Sequence, residues 1–178
     1  MLKPPYLTGE RVYLRPLSMN DKVGAAAWFD SPFPVGASRA EEALKEEHKN
    51  PWYLGQTTRL AVVRMENDEV VGGATVEPHD GARRAWLWFK LAPWLADGDE
   101  LRADALRVAI RWLRDDFELM ATIVPIAADE AATLAAAEEL GMVQGVRLRQ
   151  SRARPGGRVD MLYYQALNPR WEVRNSDA

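Results

Sequence analysis

Asp97-Gly98-Asp99-Glu100-Leu101-Arg102-Ala103-Asp104-Ala105-Leu106-Arg107 is the stretch from which the fold can be read. Acids crowd its start, where carboxylates stabilise a helix N-terminus against its dipole. From Leu101 onward the apolar residues keep helical spacing: Leu101, Ala105, Val108, Ala109 and Trp112, with Leu106, Ile110 and Leu113 widening the face. The spacing predicts a well-buried helix from about Asp99 to Phe117. Arg84 to Leu91 before it reads as a strand, and Met120 to Ile126 after it as another. A helix between two strands needs a crossover, so the sheet is expected to be mixed rather than purely antiparallel. Pro125 inside the second strand implies an edge or a bulge.

Working outward, Leu60 to Val63, Val70 to Val76 and Arg84 to Leu91 make three antiparallel strands in a row. They are joined by turn chemistry at Glu66-Asn67-Asp68-Glu69 and at His79-Asp80-Gly81. Upstream, Glu10 to Pro16 alternates as a first strand. Ser18 or Asn20 can cap a helix running to about Phe29. Ser31 to Gly36 is a loop by its prolines and glycine. Ser38 with Glu41 three positions on spells a capping box for a helix to about Lys49. Downstream, Ala128 to Leu140 is a helix, with Gly141 at the position that needs a left-handed backbone. Val143 to Gln150 and Val159 to Leu167 flank Arg154-Pro155-Gly156-Gly157, a hairpin signal. The order is β-α-α-β-β-β-α-β-α-β-β, an α+β domain.

The chain has 178 residues, 47% of them hydrophobic and 28% charged, which fits one soluble globular domain. The expected domain covers 7–168, with flexible termini at 1–6 and 169–178. The net charge of -3 argues against a nucleic-acid partner. There is no cysteine, hence no disulfide, thiolate metal site or cysteine nucleophile, which fits a cytoplasmic protein. No apolar run is long enough for a membrane span, and Met1 to Pro5 lacks a signal-peptide core. No His/Asp/Glu cluster has metal-ligand spacing, so no metal is expected. Arg147, Arg149, Arg152, Arg154 and Arg158 make a basic patch around the last hairpin. Without interleaved aromatics it reads as a solvated hairpin rather than a base-stacking surface.

This element order, with several local strings, resembles the GNAT N-acetyltransferases, and within them the branch that includes ribosomal-protein N-terminal acetyltransferases. The likeness runs from about Leu7 to Leu167. Leu7-Thr8-Gly9-Glu10-Arg11-Val12-Tyr13-Leu14-Arg15-Pro16-Leu17 is similar to that branch's opening strand, and Asn20-Asp21 with Trp28 to the helix after it. Val70-Val71-Gly72 resembles its third strand. Ala135 to Met142 resembles the helix end usually closed by Leu-Gly-Phe, and Asp160 with Tyr164 the last strand. The family's pyrophosphate turn has Gln or Arg, two free positions, Gly, one free position, then Gly or Ala. Here those slots hold Asp97, Glu100 and Arg102, a turn without its glycines. Glu130 and Thr133 stand where the family often has Asn and Ser, and Ala137 where it often has a tyrosine acid.

The resemblance implies an acyl-CoA N-acyltransferase-like fold, a mixed and mostly antiparallel sheet flanked by helices. It implies acetyl transfer from acetyl-CoA, as co-substrate, to a primary amine, either a small molecule or a protein N-terminus. It places the cofactor on Phe89, Lys90 and Leu91, on Gly98, Asp99, Glu100, Leu101, Arg102 and Ala103, and on Arg107 and Thr133. Glu77, His79 and Asp80 lie where a base would meet the substrate, or are ordinary turn polarity. Trp86, Trp88 and Lys90 alternate onto one face. With Trp28 and Trp52 they line an acceptor cleft or belong to the core. His48 reads as a surface helix residue. The altered turn leaves one alternative, a catalytically weak or inactive GNAT-fold protein that binds a ligand. The last two strands, with Tyr163-Tyr164, offer a surface for a homodimer.

Overall fold

The computed structural model describes residues 7–29, 36–49, 57–79 and 83–172. Its elements in chain order are β1 (Val12–Pro16), a 3-10 turn (Met19–Gly24), α1 (Ala25–Trp28), α2 (Ala37–Lys49), β2 (Thr58–Arg64), β3 (Val70–His79) and β4 (Arg84–Leu91). Then follow α3 (Gly98–Asp115), β5 (Ala121–Ala127), α4 (Ala131–Glu139), β6 (Val143–Arg154), β7 (Gly157–Leu167) and a last helical turn, α5 (Pro169–Glu172). That last turn falls within the stretch read from sequence as a flexible terminus. Residues 1–6 and 173–178, most of the 31–36 loop, Trp52 and Asp80 lie outside the described residues, as does the side chain of His48. Among the described residues no helix is long and apolar enough to cross a membrane.

The seven strands make one sheet in the order β1-β2-β3-β4-β5-β7-β6. Every neighbouring pair is antiparallel except β4 and β5, the pair bridged by α3. The crossover expected from the apolar spacing of α3 is therefore where the sheet becomes mixed. All eight residues of its predicted apolar face are buried. They meet Leu14, Leu60, Leu87 and Ile126 on one side of the sheet, where Ala136 and Ala137 of α4 join them. The opposite side carries a smaller core in which Trp28 and Leu44, from α1 and α2, cover Tyr13, Ala61 and Val63.

β4 and β5 pair only at Arg84↔Ala121, Ala85↔Thr122 and Trp86↔Ile123, and then part. β5 keeps β7 on its other flank through Ala127. Pro125 is thus in an interior strand, not at an edge, but beyond the point where that strand has lost one neighbour. A residue with no N–H is tolerated there.

Two carboxylates fasten the chain to this sheet. Asp104 of α3 accepts the main-chain N–H groups of Glu10 (3.2 Å), Arg11 (2.7 Å) and Val12 (2.9 Å). Gly9 is needed there, because a Cβ at that position would stand 2.4 Å from an Asp104 oxygen. Asp21 accepts both terminal nitrogens of Arg15 (2.7 and 2.8 Å) and the N–H of Ser18 (2.6 Å). Its carbonyl receives the Trp28 indole N–H at 2.9 Å. Ser18 thus opens the first helical segment, as its sequence suggests. Ser38 does not open α2. That helix already includes Ala37, and Glu41 turns instead to Lys45 (2.8 Å) and Lys22 (3.1 Å).

The Arg15–Asp21 pair is almost wholly buried, so removing one charge strands the other. Asp21→Asn is expected to lower unfolding free energy by about 3 kcal/mol in urea titration. Burial pushes the Asp21 carboxyl up, but the bonds from Arg15 and Ser18 outweigh it and hold it below the ordinary carboxylate value. A depressed pKa contributes stability above the unfolded value, lost as pH falls through the folded one. The variant should accordingly lose stability less steeply on acidification.

Candidate active site

The parting of β4 and β5 leaves a polar main-chain edge on β4 from Leu87 onward, where it no longer meets β5. Unpaired backbone groups of this kind seek a partner. Beside them runs a cleft of about 770 Å³. Its walls come from both sides of the sheet. Leu17, Trp28, Phe29 and Leu44 form one end, and Pro93, Arg102 and Arg152 the other. The floor between is Arg59, Gly73, Thr75, Glu77, Trp88 and Lys90.

The floor follows from register. Arg59 faces Thr75, which faces Trp88, and Gly73 faces Lys90. Gly73 lets α1 lie directly on β3, since a Cβ there would come within 3.1 Å of Trp28. Trp88 donates its indole N–H to Glu77 at 3.0 Å. The Lys90 ammonium donates to the carbonyl of Phe29. Trp86 and Trp88 do share a face and stack, with centroids 5.6 Å apart. Neither is core. Trp88 lines the cleft, whereas Trp86 turns its face toward Tyr163 instead. Glu77 is in the cleft. His79 is exposed at the end of β3, opposite Arg84 and away from it.

The residues expected at the cofactor divide in the same way. Phe89, Lys90, Leu91 and Arg102 line the cleft. Leu101 and Ala103 are buried in the core, so only their main chain is available. Arg107 reaches away to Glu139 at 2.7 Å. Asp99 does not stabilise its own helix alone. Its carboxylate caps α4, accepting the N–H groups of Ala132 (2.7 Å) and Thr133 (3.1 Å) and the Thr133 hydroxyl (2.6 Å). Asp97 is held by Arg64 (2.7 and 3.0 Å) and Arg11 (2.8 Å), contacts that keep its carboxyl below the ordinary value. Of the acids in the turn only Glu100 is exposed, at the start of α3 beside Gly98. Ala137 is fully buried and offers no hydroxyl.

A buried carboxylate that the sequence marked only as a departure organises the α3 end of the cleft. Glu130 pairs with Arg102 (2.8 Å) and Arg154 (2.8 Å), and its second oxygen accepts the Ala127 N–H at 3.1 Å. The Arg102 Nε is buried without a partner. Burial holds the Arg102 guanidinium below its ordinary value, with Glu130 opposing and Arg152 and Arg154 adding to the effect. Arg152 arrives from β6 just past an irregularity in its pairing with β7. At that irregularity Asp160 accepts the Gln150 N–H at 2.8 Å. Two arginines of the last hairpin, Arg152 and Arg154, are therefore parts of this site and not of a solvated patch. Their sequence signal was the run of arginines, but only the register shows which ones turn inward.

No protein-family model matches the sequence. No curated protein matches it. Among solved structures, a protein from Sphaerobacter thermophilus assigned as an acetyltransferase is 48% identical, with a TM-score of 0.72. The match covers 93% of this chain and 99% of that one. An acetyltransferase of the GNAT family from Bacillus anthracis matches at 11% identity and TM-score 0.66, over 91% of this chain and 98% of its own. Mutant forms of a spermidine/spermine N-acetyltransferase from Vibrio cholerae match at 18% identity and TM-score 0.66, over 92% and 99%. The last two likenesses concern the fold alone.

The ion pair at the α3 end gives a stability test. Glu130→Leu leaves Arg102 buried without its counter-charge and should cost about 3–5 kcal/mol. Adding Arg102→Met should restore much of that loss, because the apolar pair no longer buries a charge. Urea denaturation of both single variants and the double variant measures the coupling.

Proposed function

The chain belongs to the GNAT family of acetyltransferases, and we propose that it transfers the acetyl group of acetyl-CoA to a primary amine bound in this cleft. The observation that carries the reading is the parting of β4 and β5 after Trp86. It frees the main chain of Phe89, Lys90 and Leu91 for the amide groups of the co-substrate's arm. Arg102 and Arg152 stand at the end where its phosphates would lie, and the orphaned Nε of Arg102 is a donor awaiting an acceptor.

The reaction asks little more of the protein. The amine nitrogen attacks the thioester carbonyl, a base takes its proton, and the thiolate leaves. Glu77 is the carboxylate in the cleft suited to the base, oriented by the Trp88 indole. With Ala137 buried, the thiolate takes its proton from another group or from solvent. The acceptor is a small amine or a protein N-terminus. The exposed edge strand β6, with Val143, Val146 and Leu148 facing solvent, favours self-association, which sedimentation would detect.

Release of CoA thiol from acetyl-CoA in the presence of a panel of primary amines tests the reading. Tight acetyl-CoA binding with no thiol release for any amine would instead support a ligand-binding protein. Glu77→Gln should lower kcat by about a hundredfold or more if Glu77 is the base.

The acidic turn yields a binding test. Exposed Glu100 faces solvent, so its repulsion of phosphate is screened. Glu100→Gly is expected to tighten acetyl-CoA binding by up to about fivefold at low salt, with the gain vanishing at high salt. Arg102→Ala should weaken it. Titration calorimetry at two ionic strengths reads both effects.

A further inference from the structure

Charge is distributed unevenly along the cleft. Among the described residues that line it, Arg59, Lys90, Arg102 and Arg152 are cationic, and Glu77 is the one carboxylate. Arg102 and Arg152 belong to the α3 end, with Glu130 beside them. Lys90 lies on the floor of the cleft, beside the end of α1. Among the described residues its hydrogen-bond partner is the Phe29 carbonyl, a neutral group, and no carboxylate pairs with it. An ammonium has donors to spare beyond one carbonyl. The bond to Phe29 accounts for part of its geometry but not for a full charge held half-buried over the sheet.

Glu77 likewise has no cationic partner among the described residues. Its partner is the Trp88 indole, again a neutral group. Lys90 faces Gly73 across β3 and β4, and Gly73 and Glu77 are four residues apart on β3, roughly 13 Å at the usual strand rise. The two opposite charges therefore stand at separate ends of one floor instead of neutralising each other. Thr75 and Trp88 lie between them, and Trp28 with Phe29 closes the side. Arg59 adds a second cation to this floor, opposite Thr75, and a floor with one carboxylate, two cationic side chains and an aromatic wall is complementary to a molecule that carries an amine, a carboxylate and an apolar body.

Building on the acetyltransfer reading above, we infer that the acceptor is an ω-amino carboxylic acid, whose amine and carboxylate are set apart by an apolar chain or ring as the separation of Glu77 from Lys90 requires. Its amine sits at Glu77, its carboxylate is held by Lys90, and its apolar part lies against Trp28 and Trp88. A polyamine is selected against, because its second ammonium would meet Lys90, a like charge in a partly desolvated cleft. Lys90 is then a specificity-determining residue acting through its side chain, while its main chain serves the co-substrate.

The test compares acceptors matched except for the carboxylate: 4-(aminomethyl)benzoate with benzylamine, and 6-aminohexanoate with hexylamine, with spermidine as a third arm. With the wild-type protein and acetyl-CoA, kcat/KM should favour the carboxylated member of at least one pair by about tenfold or more, mainly through KM. Lys90→Met should abolish that preference, and Lys90→Glu should reverse it toward spermidine. Equal use of both members, or a preference for spermidine or the plain amines, overturns this inference while leaving acetyl transfer intact. No thiol release with any acceptor overturns both. A carboxylate preference that survives in Lys90→Met removes Lys90 from the role. The wild-type comparison stands whether or not the variants fold.

Discussion

The contact between β4 and β5 lasts three residue pairs and then ends. Nearly everything that gives the molecule a site follows from that ending. A sheet that stayed closed would have satisfied its own main chain and left no room between its layers. Here β4 keeps β3 on one side and presents unpaired groups on the other, while β5 leans on β7. The gap opens toward the N-terminal ends of both α3 and α4, since each helix follows the C-terminal end of one of the parted strands. Two helix starts, whose first N–H groups have no partner within their own helix, therefore converge beside the divergence.

These helix starts are largely satisfied by the chain's own side chains. The first turn of α4 is capped from within, by the Asp99 carboxylate of α3, which takes the Ala132 and Thr133 N–H groups that an outside anion would otherwise meet. Asp97 is likewise spent on Arg64 and Arg11, linking the start of α3 to β2. Glu130 is spent on Arg102 and Arg154. An acid-rich turn that reads as hostile to phosphate is thus mostly an internal truss. The cationic groups at the α3 end, not the local count of acids, set the sign of the charge that the cleft presents there.

What was legible in the sequence is what short-range rules decide. The face of α3, the positive φ of Gly141 and the hairpin at Pro155-Gly156 depend on residues within a turn or two, and the chain adopts them. The alternation of Trp86, Trp88 and Lys90 correctly put them on one face. It could not say what covers that face, because α1 and α2 come from elsewhere in the chain. Ser38 was misread since a capping signal one residue away is satisfied equally well by an earlier start. The partners of Asp97, Asp99 and Glu130 were illegible for a plainer reason. Each is matched to a residue 24 to 86 positions distant, and nothing local to the acid specifies which cation or amide it will meet.

The anchoring of β1 by Asp104 bears on how the molecule comes to be assembled. The Val12 amide and the carboxylate that receives it are 92 positions apart, so β1 is fastened by a helix made much later. Until α3 has been made, its amides have only water for partners at that point, and its pairing with β2 is an edge without a lock. Long-range closure of this kind slows folding and delays the final consolidation of the sheet. β1 is thus synthesised well before the helix that secures it, and truncated chains that stop short of α3 should retain an unguarded β-edge prone to pairing with other chains.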